Sequence, residues 1–188
     1  MDIRTKLIQS PYTSSSAEAL TWHQRTRLSA VDVPALWLPW LTDRGSLTQH
    51  LIRASQQQFT VKLLGLAWQY PSLNEARILG INPRHKALIR EVMLQGKGVD
   101  WVYARSVIPA KTLSGRERLL HHVGQRSLGS VLFSDPTMRR GPLQTAALNL
   151  GDQKLWARRS VFTLSGKPLL VAEVFLPALE QVHYNPSR

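Results

Sequence analysis

Apolar residues along this chain recur mostly with a period of two, the spacing of a strand with one buried face. FTVKLLGLAWQY, 59–70, alternates in this way and predicts a half-buried strand with a bulge at Gly65. HKALIREVMLQGKGVDWVYARSVIP, 85–109, holds two apolar runs around QGKG and predicts a hairpin with a short glycine-containing loop. LQTAALNL, 143–150, leads into LWARRSVFTLSGKPLLVAEVFLP, a second hairpin turning at Ser165-Gly166-Lys167.

Helical spacing interrupts this pattern only briefly. In DRGSLTQHLIRAS, Leu47, Leu51 and Ile52 fall on one helix face behind Ser46, an N-cap residue, which predicts a helix over 46–54. KTLSGRERLLHHVG, 111–124, has the same period, with Ser114 to cap its start and Gly124 to end it. The serine-rich first thirty residues predict a short helix over 16–28, and the two prolines of VPALWLPWL, 33–41, exclude a long regular helix there. Strands joined as hairpins with short helices between them make the class α+β, built on an antiparallel sheet. Residues 1–30 read as an N-terminal extension and 31–188 as one domain.

Two charges break the strand faces. In LLVAEVFLP, 169–177, Glu173 shares a face with Leu169, Val171 and Phe175; in HKALIREVML, Arg90 shares one with Leu88, Val92 and Leu94. Glu91 occupies the opposite face beside Ile89 and Met93, so alternation alone leaves open which of Arg90 and Glu91 points inward. A charge in an apolar setting is costly unless it is paired or hydrogen-bonded. Two readings follow. Arg90 and Glu173 form a cross-strand ion pair, or they face a pocket in which a guanidinium binds a carboxylate and a carboxyl group handles a hydroxyl or a proton.

Composition narrows the classes. The 188 residues are 43% hydrophobic, as a globular chain is, and contain no cysteine, which removes disulfides, thiolate metal sites and a cysteine nucleophile. The first twenty residues have no continuous apolar stretch of the secretory kind, and the sequence reads as soluble and cytoplasmic. A formal net charge of +12 attracts polyanions, acidic membrane surfaces or anionic metabolites. No zinc-finger spacing or phosphate loop accompanies it, so no specific nucleic-acid partner is expected. His121-His122 lacks the i, i+4 spacing of a helical metal pair, and Ser114 and Ser165 lie in LSG turns outside any nucleophile motif.

Five stretches together resemble the bacterial chorismate pyruvate-lyases: WLTDRGSLTQHL, LIREVML, ARSVIPAKTLSG, SLGSVLF and LWARRSVFTLSGKPLLVAEVFLPAL. They occur in family order from about residue 35 to 179. The resemblance implies a mainly antiparallel six-stranded sheet with two helical flaps, near 42–55 and 111–125, closing over a buried pocket. It implies cofactor-independent removal of pyruvate from chorismate, giving 4-hydroxybenzoate for ubiquinone synthesis, by a monomer. Carried over residue by residue, Arg90 binds the ring carboxylate and Glu173 stands at the other end of the ligand. Leu128 gives backbone contacts and Leu47 lies in the first flap, where the best-known family pattern has methionine; the volumes are similar enough to be exchanged. Metal and cofactor are not required, and the positive charge suggests weak association with anionic membrane surfaces. The alternative is a non-catalytic domain of the same fold that binds an aromatic acid, as in effector domains of transcription regulators. Such a regulator normally brings a winged helix-turn-helix, for which residues 1–30 are too short.

Overall fold

The structure, a computed structural model, describes residues 22–24, 33–150 and 153–186. Six long strands carry the sheet: β2 (Phe59–Gln69), β3 (Ala87–Gly96), β4 (Val99–Pro109), β6 (Gln144–Leu150), β7 (Gln153–Leu164) and β8 (Lys167–Phe175). Two short ones join its edges, β1 (His23–Gln24) and β5 (Arg139–Arg140). The order is β1-β6-β7-β8-β4-β3-β2, with β5 also on β7, and every pairing is antiparallel.

Turn chemistry fixes the hairpins. Lys97 and Gly98 between β3 and β4 both have positive φ, 53° and 77°, as do Ser165 and Gly166 between β7 and β8, 50° and 78°. Two consecutive left-handed residues match the twist of the flanking strands, and glycine takes the second place in each turn without a Cβ penalty. In β2 the register shifts between Leu63 and Gly65, at the expected bulge.

The helices are α1 (Leu38–Thr42), α2 (Leu47–Ala54), α3 (Leu73–Leu79) and α4 (Leu128–Ser134), with 3-10 turns at Gly115–His122 and Pro177–Gln181. Ser46 caps α2 as expected, its hydroxyl accepting from the Gln49 amide. Two expectations need correction, and one helix is additional to them. The 16–28 helix fails where it is described: His23 and Gln24 form β1 against Thr145 and Gln144, and the rest of that range lies outside the described residues apart from Trp22. The 111–124 segment forms a 3-10 helix over Gly115–His122, and the Ser114 hydroxyl donates back to the Lys111 carbonyl rather than capping it. Helix α3 had no counterpart in the sequence reading, although Ser72 and Glu75 form a reciprocal capping box and Gly80 closes the helix at φ 64°.

Both faces of the central strands are covered, so β3 is buried almost along its whole length. On one face α1 and α2 pack Trp37, Trp40, Leu41, Leu47 and Leu51 against Val92, Trp156 and Phe175. The other face packs Met93, Tyr103, Ala157 and Val174 together and carries α3. Among the described residues no helix is long and apolar enough to cross a membrane.

Candidate functional site

Strand register places the charged side chains in two rows on the face under α2 and α4. One row runs Arg158, Glu173, Ala104 and Val92 across β7, β8, β4 and β3; the next runs Ser160, Val171, Ser106 and Arg90. Arg90 and Glu173 therefore stand two strands and one two-residue step apart, which from standard strand spacings separates their backbones by about 12 Å. Between them lies a cavity floored by Val92, Ala104, Ser106 and Val171. Leu47 at the start of α2 and Leu128 at the start of α4 line its roof. The four residues singled out from the sequence thus surround one cavity, and Arg140 and Arg158 join them.

Arg90 and Glu173 do not pair with each other. Arg90 donates from Nε and Nη2 to the Gly124 carbonyl at 3.2 and 2.9 Å, and from Nη2 to the Arg126 carbonyl at 2.8 Å. Carbonyl oxygens satisfy its Nε and Nη2 donors without cancelling its charge, and burial pushes the guanidinium down to about 10, still cationic at neutral pH. Glu173 instead meets Arg158 of the neighbouring strand, Nε to Oε2 at 2.5 Å. Arg158 Nη1 also donates to the Trp40 and Asp43 carbonyls, and its guanidinium lies over the Phe175 ring. The ion-pair reading of Glu173 was right in kind and wrong in partner.

Arg140 enters from the opposite edge. It sits half-buried over the Phe162 ring, 5.1 Å from its centroid, and donates from Nε to the Ser160 hydroxyl and from Nη1 to the Arg44 and Gly45 carbonyls. Burial, and after it the Arg158 charge, lowers its guanidinium to about 10, while Glu173 and Asp43 act in the other direction. Among the described residues neither Arg90 nor Arg140 has a carboxylate within 4 Å. Three guanidinia and one carboxylate around a largely apolar cavity leave an excess of two positive charges, a setting for a small dianion with a hydrophobic body.

The two covers of the cavity touch through polar groups. Thr48 Oγ1 and Ser127 Oγ lie 2.6 Å apart, and a Cβ on Gly129 would stand 2.6 Å from that same Thr48 oxygen. Each cover is also held from below by one uncompensated arginine, the first at Arg44 and Gly45 and the second at Gly124 and Arg126. His50, within α2, lies 3.1 Å from Asp43 and 3.0 Å from the Tyr184 hydroxyl; burial lowers its pKa, with Asp43 partly offsetting this. The contact between the covers lies at Ser127 and Gly129, beyond the 111–125 stretch expected for the second flap.

Sequence reasoning passed over Arg140 and Arg158. Arg158 was readable, because in LWARRSVF it alternates with Trp156 and Ser160 on the face opposite Arg159. Arg140 offered no such signal, since its strand is two residues long and only the register opposite Phe162 aims it at the cavity.

A family model described as chorismate lyase matches residues 16–183. Among curated relatives, "Probable chorismate pyruvate-lyase 2" of Pseudomonas entomophila is 39% identical over 186 residues, covering 95% of this chain and 100% of the relative. "Probable chorismate pyruvate-lyase" of Methylobacillus flagellatus is 43% identical over 155 residues, covering 75% and 86%. Among solved structures, a GntR-family transcriptional regulator from Bacillus cereus superposes with a TM-score of 0.50 at 13% identity over 64% of this chain and 93% of its own. PhnF from Mycobacterium smegmatis does so at 0.51 with 16% identity, covering 73% and 66%. At those identities the likeness is one of fold alone.

Proposed function

This chain belongs to the chorismate lyase family, and on that premise we propose that it removes pyruvate from chorismate to give 4-hydroxybenzoate, the entry to ubiquinone synthesis. The observation that carries the reading is the cavity's excess of two positive charges, suited to a substrate with two carboxylates, around a single ion-paired carboxylate.

In this reading Arg90 takes the ring carboxylate with the two N–H groups of its Nη1, which the flap carbonyls leave unused. Glu173, held by Arg158, accepts a hydrogen bond from the ring hydroxyl and lies beside the ring carbon that loses its proton. The ether C–O bond breaks, its electron pair leaves with the enolpyruvyl oxygen, and the adjacent ring C–H releases a proton. The departing enolate gains a proton at carbon to become pyruvate, and the ring becomes aromatic. Aromatisation supplies the driving force, so the protein's share is orientation, exclusion of water and proton handling. Leu47 and Leu128 close the roof over the ring.

Purified protein mixed with chorismate, without added metal or cofactor, should develop the ultraviolet absorbance of 4-hydroxybenzoate; none forming would end the proposal. Glu173→Gln tests the proton role, and an unchanged turnover number would exclude it. We place this activity in the cytoplasm, in a monomer whose residues 31–188 act as one domain. The +12 charge supports weak association with anionic membrane surfaces. Flotation with anionic and with neutral vesicles decides the point, and equal, negligible binding rules it out.

A further inference from the structure

The geometry points to Arg140 as the group that binds the second carboxylate of the substrate, the one on the enolpyruvyl arm; the assignment rests on the lyase reading above. Three guanidinia face the cavity, and their partners differ. Arg158 has Glu173 on Nε and two backbone carbonyls on Nη1. Arg90 is occupied by the second flap and stands on β3. Arg140 stands on β5, on the far side of β7 and β8 from Arg90. Its Nε goes to Ser160 and its Nη1 to Arg44 and Gly45, so among the described residues both N–H groups of Nη2 lack a partner.

Substrate chemistry fixes which end of the cavity matters. The ring carboxylate and the ring hydroxyl lie across the ring from one another, and the ether-bearing carbon is the hydroxyl's immediate neighbour. With the ring carboxylate on Arg90 and the hydroxyl at Glu173, the enolpyruvyl carboxylate falls at the Glu173 end. Arg140 is the cation there without an anion, near enough for the Glu173 and Arg158 charges to act on it, whereas burial alone acts on Arg90. The Phe162 face beneath Arg140 holds the guanidinium plane in place. After elimination the carboxylate leaves with pyruvate, so Arg140 contacts the substrate and not the aromatic product.

That asymmetry gives the test. In Arg140→Gln, kcat/KM for chorismate should fall about 30-fold or more, the loss of charge-assisted hydrogen bonds, while the dissociation constant of 4-hydroxybenzoate stays within about threefold. Arg140→Lys should recover part of the loss, because charge returns without the planar fork. Arg140 also ties Arg44 and Gly45, and if it acted only through that tether, substrate and product would weaken together; equal weakening, or no effect on either, overturns the assignment. A measurement on the unaltered protein guards against a variant that fails to fold. 3-Carboxymethoxy-4-hydroxybenzoate should bind more tightly than 3-methoxy-4-hydroxybenzoate, and equal or weaker binding refutes the site. Wild-type turnover of chorismate is the control: its absence would count against the lyase reading, independently of how the two benzoates compare.

Discussion

Opening of the cavity should be set by the contact between Thr48 and Ser127. Their hydroxyl oxygens are 2.6 Å apart, and this bond joins α2 to the start of α4 across the roof. Thr48→Val keeps the shape of the side chain and deletes the bond. A net hydrogen bond contributes about 1 kcal/mol, which corresponds to about a fivefold shift in the ratio of open to closed states. Ser127 keeps its second duty, accepting from the Ser130 amide at 3.2 Å, so α4 retains its cap. The release rate of 4-hydroxybenzoate should therefore rise about fivefold with little change in melting temperature. Where release limits turnover, kcat should rise with it.

Gly129→Ala strains the same contact by a different physical route. The new Cβ would stand 2.6 Å from Thr48 Oγ1, closer than such atoms tolerate, so the covers must separate or Thr48 must turn. Alanine is also the better helix former by about 1 kcal/mol, which favours α4 locally. Release should thus quicken without a loss of fold stability. Stopped-flow displacement of bound 4-hydroxybenzoate reads both variants directly. Release rates equal to wild type in both would show that the covers do not part at this contact and refute the reasoning.

Arg90→Lys keeps the charge but loses the fork that bridges the Gly124 and Arg126 carbonyls, and should weaken 4-hydroxybenzoate binding by about 30-fold, measured by titration calorimetry. Arg105, on the opposite face, holds Glu75 at 2.8 Å and Glu91 at 3.0 Å and is buried, so Arg105→Met should destabilise the fold by about 3 kcal/mol in denaturant unfolding. Its product affinity, at temperatures where it remains folded, should match wild type. His50 has a lowered folded pKa, so the unfolded chain binds its proton first and stability falls as pH drops through the ordinary histidine value. His50→Gln should flatten the unfolding free energy between pH 7 and pH 5.

Much of the fold was legible because hairpins announce themselves twice, in the alternation and in the turn. QGKG and LSGK needed no partner elsewhere in the chain to be read. Helix α3 was equally local, since Ser72 and Glu75 spell a capping box ahead of Ala76 and Leu79; it was missed because its seven residues show too little period. The site was legible only in part. Arg90 and Glu173 stood out as charges among apolar neighbours, but their partners depend on which strands become neighbours. Strand β8 lies between β7 and β4, and this order gives Glu173 to Arg158 and leaves Arg90 to the flap carbonyls. Nothing in LIREV or AEVF encodes that order. Arg90 and Glu91 could not be told apart because both are buried, one on each face.

The two faces of the sheet show why one is a site and the other is support. Behind the sheet, Arg105 is bonded to Glu75 and Glu91, the Tyr103 hydroxyl donates to Glu91, and Arg159 donates to Gln144 and Asn74 beneath the Trp22 ring. Two arginines and two carboxylates balance there, and such a network costs its desolvation and returns it in mutual contacts. On the cavity face, Glu173 balances one arginine of three. Holding two further cations, Arg90 buried and Arg140 half-buried, on backbone carbonyls and the Ser160 hydroxyl with no carboxylate is unfavourable for the fold, as their lowered pKa values state in another form. A dianion entering the cavity offsets that penalty, so part of its affinity comes from compensating the two cations. That compensation is smaller once the second carboxylate has left with pyruvate, which favours release of a monoanionic product over retention of its precursor.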